Sequence, residues 1–133
     1  AFWQGLDLED RRKLGLLEEA GAQRECKHRE ALRMALVRFL ERKGLLNGVS
    51  QDSHTVLKAC LAFLSASPAR VVLVNLEDLW LEAEPQNTPG TSGERPNWQR
   101  KARFSLEAFC QMPQVLEIFR EIDHLRKEGR GLQ

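Results

Sequence analysis

The chain has no tyrosine, only three cysteines, and no apolar run near the roughly 20 residues needed to span a bilayer. The last absence argues against a membrane protein. The start, Ala1-Phe2-Trp3-Gln4, has no basic region followed by an apolar stretch, so no secretory signal is expected. Cys26, Cys60 and Cys110 are odd in number and widely spaced, which is not a disulfide framework. Cys26 and His28 stand two apart, which on a helix turns their side chains about 200° from each other, too far to share a metal. Buried or half-buried free thiols in a reducing cytoplasm are the expectation.

An excess of charge of one sign is also missing. The 20 basic and 19 acidic residues leave a net charge of +1. A broad basic field for nucleic acid is excluded on that balance. The run Arg11-Arg12-Lys13 follows Glu9 and Asp10 and reads as a solvated helix face. Autonomous catalytic motifs are absent too. There is no glycine-rich phosphate loop, no Cys-x-x-Cys pair, no His-Glu-x-x-His and no serine in a nucleophile elbow. Glu18 and Glu19 are adjacent, so they point to different sides of a helix and cannot pair across a substrate.

What remains is a chain of 133 residues, 42% hydrophobic and 29% charged, with the balance of an ordinary globular domain. Asp7 suits a helix N-cap, and a helix is expected over Leu8–Glu18 with Leu14 and Leu17 inward. Ala20-Gly21-Ala22 reads as a break. A longer helix should follow to Lys43, with Leu32, Ala35, Leu36, Phe39 and Leu40 on its apolar stripe and Gly44 as its stop. Asp52 or Ser53 should cap a third helix through Val56, Leu57, Cys60, Leu61, Phe63 and Leu64, apolar nearly all round and so well buried. Pro68 ends it.

Arg70-Val71-Val72-Leu73-Val74-Asn75-Leu76 is short, β-branched and apolar on both faces, the pattern of a buried parallel strand. The expected fold class is therefore predominantly α with one buried strand. A lone strand cannot satisfy its own backbone, so its partners should lie outside this chain or in a second copy of it. Together with the apolar start at Phe2-Trp3, this reads as a piece of a longer protein. Glu77 to Leu81 suits a helical turn. From Glu84 to Asn97 the composition shifts: Pro85, Pro89, Gly90, Gly93 and Pro96 make one long loop, and loops of that length in compact domains are often functional. Two helices follow, a short one near Ser105–Phe109 and one from Pro113 with Val115, Leu116, Phe119, Ile122 and Leu125 on one face. The tail, Gly129 to Gln133, should fray.

The loop after Leu76 carries Asn87, Thr88, Thr91, Asn97 and Trp98. Amides and hydroxyls match sugar hydroxyls as donors and acceptors, and an indole can stack on a pyranose face. A rigid Pro/Gly connection whose asparagines only cap turns accounts for the same residues. The composition leaves both readings open.

Three segments carry a resemblance. Glu77-Asp78-Leu79, then Gln86-Asn87-Thr88-Pro89-Gly90-Thr91, then Arg95-Pro96-Asn97-Trp98-Gln99-Arg100-Lys101 resemble the C-terminal motifs of amylomaltases, the 4-α-glucanotransferases of glycoside hydrolase family 77. The family pattern is an E/Q-D-L-L turn, an N-x-P-G-T segment and P-N-W-R-R, and order and spacing agree here. Phe2-Trp3-Gln4-Gly5 through Asp7 also resembles the segment just after the family's His-Asp motif. The likeness is strong over residues 70–110 and loose elsewhere. Gln99 departs from the common Arg, and Trp80-Leu81-Glu82 from a common Leu-Gly, so the subgroup stays open.

The resemblance implies a C-terminal α/β portion of a (β/α)₈ TIM-barrel catalytic domain, with residues 1–133 as one fragment of it and Val71–Asn75 as its eighth strand. It implies a retaining double displacement on α-1,4-glucans, with an Asp nucleophile, a Glu acid/base and a second, stabilising Asp. All three fall upstream in the family, so this chain is expected to hold no catalytic residue and to be inactive alone. Asn87, Pro89, Gly90 and Thr91 match the substrate-binding loop. Asp78, Asn97 and Trp98 match positions that support it. No metal or organic cofactor is implied. The implied partners are α-1,4-glucans and maltooligosaccharides, with no nucleic acid and no membrane, and the location is cytoplasmic. The chain is expected to self-associate through its exposed strand. Two rival readings draw on the same residues: a stand-alone helical interaction module, and a glucan-binding domain. The latter needs a row of exposed aromatics, which no tyrosine and three tryptophans supply poorly.

Overall fold

The computed structural model describes residues 1–48, 52–95 and 97–130, the last two by backbone alone. Of the tail expected to fray over 129–133, residues 129 and 130 continue the last helix instead, and 131–133, like the loop residue Pro96, lie outside the described residues. Among the described residues five α-helices run in order: α1 (Leu6–Lys13), α2 (Glu19–Arg42), α3 (Ser53–Ser65), α4 (Leu106–Phe109) and α5 (Pro113–Arg130). Two 3₁₀ turns, Phe2–Gln4 and Leu76–Trp80, complete the regular structure. The chain divides into two compact units. One holds Ala1–Leu36 and Glu82–Ala102, the other Val37–Leu81 and Arg103–Gln133.

In the first unit, α1 starts two residues earlier and ends five earlier than its periodicity suggests. Gly5 takes the cap position at φ 77°, so Asp7 sits inside the first turn rather than capping it. There it pairs with the Arg29 guanidinium of α2, whose Nη2 donates to Asp7 Oδ2 at 2.8 Å. Burial alone would push the Asp7 carboxyl up. The hydrogen bonds and charge of Arg29 outweigh it and hold the group below the usual carboxylate range. The end of α1 is set by Gly15 at φ 69°. Its N–H bonds Arg12 O at 3.0 Å and the next N–H, of Leu16, bonds Arg11 O at 2.9 Å. That is the Schellman closure, which needs a left-handed residue.

Ala20-Gly21-Ala22 does not break the chain. All three lie within the first turn of α2, where a glycine's entropic cost is offset by the long helix it starts. The apolar start is explained by the same helix: Arg29 lies 4.4 Å from the Phe2 ring centroid and Arg33 4.5 Å from that of Trp3. Two aromatics at the start of the described chain are thus held by cations rather than by a core. The stripe assigned to α2 is partly overturned. Leu32 is 47% exposed and Ala35 is exposed as well, because no described residue covers that part of the helix.

The second unit holds the better core. Leu61, Leu79, Val115 and Ile118 are buried together, with Leu57, Val74, Phe109, Met112, Phe119 and Ile122 packed around them. Each fully buried aliphatic side chain is worth about 1.5–3 kcal/mol. Gly44, at φ 70°, ends α2 as expected, by the same closure as Gly15: Gly44 N to Glu41 O at 2.9 Å and Leu45 N to Leu40 O at 3.0 Å. Asp52 caps α3, its carboxylate accepting from His54 N and Thr55 N. Helix α3 is not buried all round, since Phe63 and Leu64 are exposed and the buried side runs through Val56, Ala59, Ala62 and Ser65. Helix α5 follows its periodicity from Pro113, and Ile118, outside the expected stripe, is among its most buried residues.

The buried strand is overturned. No strand forms among the described residues. Val71 is 72% exposed and Leu73 86% exposed, while Val72 and Val74 are half-buried. The segment is irregular and covered on one side only. A strand needs a neighbour to exchange hydrogen bonds with, and all the regular structure described around it in this unit is helical, so no ladder forms. Its approach is secured by a side chain instead. Arg126 of α5 donates from Nη1 to Ser65 O at 3.3 Å and Ser67 O at 3.1 Å, and from Nη2 to Ala69 O at 2.6 Å and Arg70 O at 3.3 Å. One guanidinium therefore satisfies the end of α3 and the chain leaving it. Replacing Arg126 by Ala should lower unfolding stability by about 2 kcal/mol. Replacing it by Lys, with a single donor head, should recover less than half of that. Urea denaturation checks this, and an unchanged midpoint for Arg126→Ala would refute the clasp.

Candidate functional site

The residues singled out from sequence, Asp78 apart, fall on the loop of the first unit, which is closed at two levels. At its neck, Arg100 Nη2 donates to Glu84 O at 2.8 Å, and Arg100 Nη1 lies 3.4 Å from Glu82 Oε2. Glu82 turns its other oxygen to the N–H groups of Ala83 and Glu84 at 3.0 and 3.1 Å. A charge pair this well shielded, with only 9% of the Glu82 side chain exposed, stays closed far better than a surface pair.

The far part is tied by one amide. Asn97 Oδ1 accepts from Thr88 N at 2.9 Å, and Asn97 Nδ2 donates to Thr91 O at 3.1 Å and to Thr91 Oγ1 at 3.0 Å. The Thr91 hydroxyl in turn donates to Thr88 O at 2.7 Å. Next along the chain, Trp98 N bonds Gln86 O at 2.7 Å. The segment 86–91 is therefore laced to 97–98 by side-chain and backbone bonds together. Gly90 sits at φ 91°, a conformation that only glycine adopts without strain, and this lets the chain turn between Thr88 and Thr91. Thr88 is 5% exposed, and the loop buries its hydroxyl without a hydrogen-bond partner among the described residues.

The site residues read from sequence are distributed unevenly over this frame. Asn87 is half-buried, and its side-chain amide makes no hydrogen bond among the described residues, which leaves a donor and an acceptor for a ligand. Pro89 and Gly90 are exposed. The Thr91 hydroxyl spends its proton on Thr88 O and receives one from Asn97, so it has a single lone pair to spare. Trp98 is 74% exposed, with φ 60°. Asp78 is exposed on the 3₁₀ turn Leu76–Trp80 and belongs to the second unit. That turn is closed by backbone bonds, Asp78 N to Asn75 O and Leu81 N to Asp78 O. Leu81 takes φ 56°, a left-handed conformation that glycine adopts more cheaply.

Sequence reasoning missed the charges that hold the loop. Arg95 pairs with Asp10 of α1, and Arg100 with Glu82. The signal lay in view, since both arginines stand in the quoted motif segments. A cleft of about 200 Å³ opens beside the first pair, lined by Leu6, Asp10, Lys13, Glu84, Pro85 and Arg95, with Asp7 at its wall. Its two aspartates are committed, Asp7 to Arg29 and Asp10 to Arg95. Asp7 is held ionised below the usual range, the wrong state for a general acid. No group of three His, Cys, Asp or Glu side chains among the described residues could hold a metal ion. Cys26 and Cys110 are exposed free thiols, and burial pushes the Cys60 thiol up, away from the reactive thiolate. The site so built offers amide and hydroxyl recognition on a braced loop.

A family model for glycoside hydrolase family 77, described as 4-alpha-glucanotransferase, matches residues 1–107. The 4-alpha-glucanotransferase of Mycobacterium tuberculosis (strain H37Rv) is 37% identical over 90 residues, which is 67% of this chain and 12% of that protein. The protein of the same name from Mycobacterium bovis gives the same figures. That of Haemophilus influenzae is 30% identical over 126 residues, 90% of this chain and 18% of that protein. The chain thus spans less than a fifth of the length of these relatives. No solved structure matches significantly.

The Asn97 tie predicts a graded response. Asn97→Ala should speed hydrogen exchange at the Thr88 amide by about tenfold, the equivalent of one net hydrogen bond. Asn97→Asp keeps the acceptor for Thr88 N but loses both donors, so Thr88 should stay protected while the Thr91 side of the loop loosens. Equal exchange at Thr88 in wild type and Asn97→Ala would refute the tie.

Proposed function

The chain belongs to the 4-alpha-glucanotransferases of glycoside hydrolase family 77, and on that premise we propose that it is part of an enzyme that transfers α-1,4-glucan segments between maltooligosaccharides. The observation that carries the reading is the family match over residues 1–107, on a chain whose loop holds an unspent amide at Asn87 and whose two cleft aspartates are paired to arginine. In this reading residues 1–133 form the C-terminal portion of a (β/α)₈ catalytic domain. The reaction is a retaining double displacement, and the nucleophile, acid/base and stabilising carboxylates come from residues before Ala1. Asn87 meets glucose hydroxyls, Pro89 and Gly90 shape the approach, and Thr91 offers its remaining lone pair. Asn97 supports the loop, and Asp78 braces its own turn. The proposed substrates are α-1,4-glucans.

No helix among the described residues is long and apolar enough to cross a membrane. The reading includes a cytoplasmic location, which the three free thiols fit. It also includes self-association of the isolated chain through the exposed apolar residues Val71 and Leu73.

The deciding experiment is maltotriose disproportionation. The longest open reading frame containing this chain should yield glucose and longer maltooligosaccharides, and the 133-residue chain alone should yield neither. Transfer by the isolated chain would overturn the assignment of the carboxylates, and a full frame without transfer would overturn the function. Sedimentation of the isolated chain should show oligomers that Leu73→Glu disperses. A monomeric wild-type chain would rule self-association out.

A further inference from the structure

The three tryptophans are placed very differently. The Trp3 ring lies under the Arg33 guanidinium. Trp80 meets Phe104 edge-on at 5.5 Å and Phe109 at 6.0 Å. Trp98 is 74% exposed, the most exposed aromatic among the described residues. Leaving a large apolar ring in water forgoes the free energy its burial would bring. Its backbone adds a second cost. At φ 60° a non-glycine residue is strained, and such strain persists where the surrounding structure enforces it and gathers at ligand sites.

The surrounding bonds do enforce it. Trp98 N is bound to Gln86 O at 2.7 Å, and Asn97 before it makes three side-chain hydrogen bonds into the loop. The backbone is fixed and the indole projects. The bond to Gln86 also sets Trp98 beside the residue that precedes Asn87, whose amide is unspent. A braced loop that carries an exposed apolar ring face and a free donor and acceptor suits a pyranose. Its axial C–H groups lie flat on the ring, and its equatorial hydroxyls reach the amide.

We propose that the Trp98 indole is a stacking platform for one glucosyl ring of the α-glucan, acting beside Asn87 in binding rather than in the chemical step. This rests on the transferase reading above and adds to it a substrate-contacting residue. The ring is positioned by Asn97, so the two residues act as one device.

The test uses the full open reading frame carrying Trp98→Ala and Trp98→Phe. For a maltooligosaccharide donor, Trp98→Ala should raise KM roughly tenfold with a much smaller fall in kcat, and Trp98→Phe should recover most of the loss. Calorimetric titration with maltoheptaose should show the same weakening. A KM unmoved by Trp98→Ala would overturn the proposal. So would a fall in kcat and melting temperature shared by both variants, which would mark the ring as a packing element. A frame that binds maltoheptaose through Trp98 but transfers nothing would uphold the platform and sink the transferase. Failure of the wild-type frame to bind maltoheptaose would overturn both.

Discussion

A single guanidinium stands where a sheet would be needed. The chain leaving α3 has carbonyl groups that regular structure does not satisfy, and buried carbonyls without partners are costly. Arg126 answers four of them from one position on α5. Its planar fork allows this, because five donors leave it in fixed directions. The core of Leu61, Leu79, Val115 and Ile118 depends on the same placement, since two of those residues flank the clasped segment in sequence and two lie on the helix that carries the arginine. Asn97 does for the loop what Arg126 does for the segment. In both places a long irregular stretch is made definite by one side chain with several donors or acceptors.

This explains which parts of the structure the sequence made legible. Helix ends are local chemistry. The glycine at 44, following a basic last turn, announces a left-handed stop and produces one. Gly15 carries the same information in Lys13-Leu14-Gly15-Leu16, but the apolar spacing that continues to Leu17 masks it. Asp52 reads correctly because a capping carboxylate acts on residues two and three ahead. The run Val71-Val72-Leu73-Val74 misleads for the opposite reason. β-branched residues state a local preference, but burial and pairing are properties of the neighbours, and those are not in the run. Residues 71–74 instead alternate between exposed and half-buried.

The site divides along the same line. Pro89, Gly90 and Asn97 mark a loop by composition, and the motif order marks a family. Neither shows that Asn97 faces Thr88 and Thr91, that Arg100 closes the neck on Glu82, or that Arg95 reaches Asp10, because each is a pairing across 6 to 85 residues of chain. The motif's arginines and asparagine turn out to be a frame. What the frame presents outward is small: an amide, a backbone turn and an indole.

The absence of tyrosine turns this arrangement of tryptophans into an optical property. Near-ultraviolet absorption and emission must come almost wholly from three indoles, and each sits in a different field. Trp3 lies against a cation, Trp80 is wedged among aromatic edges with its ring nitrogen unbonded, and Trp98 looks into water. One spectrum therefore carries three local reporters, at the start of the described chain, in the helical core and on the loop, and each can be isolated by removing the other two.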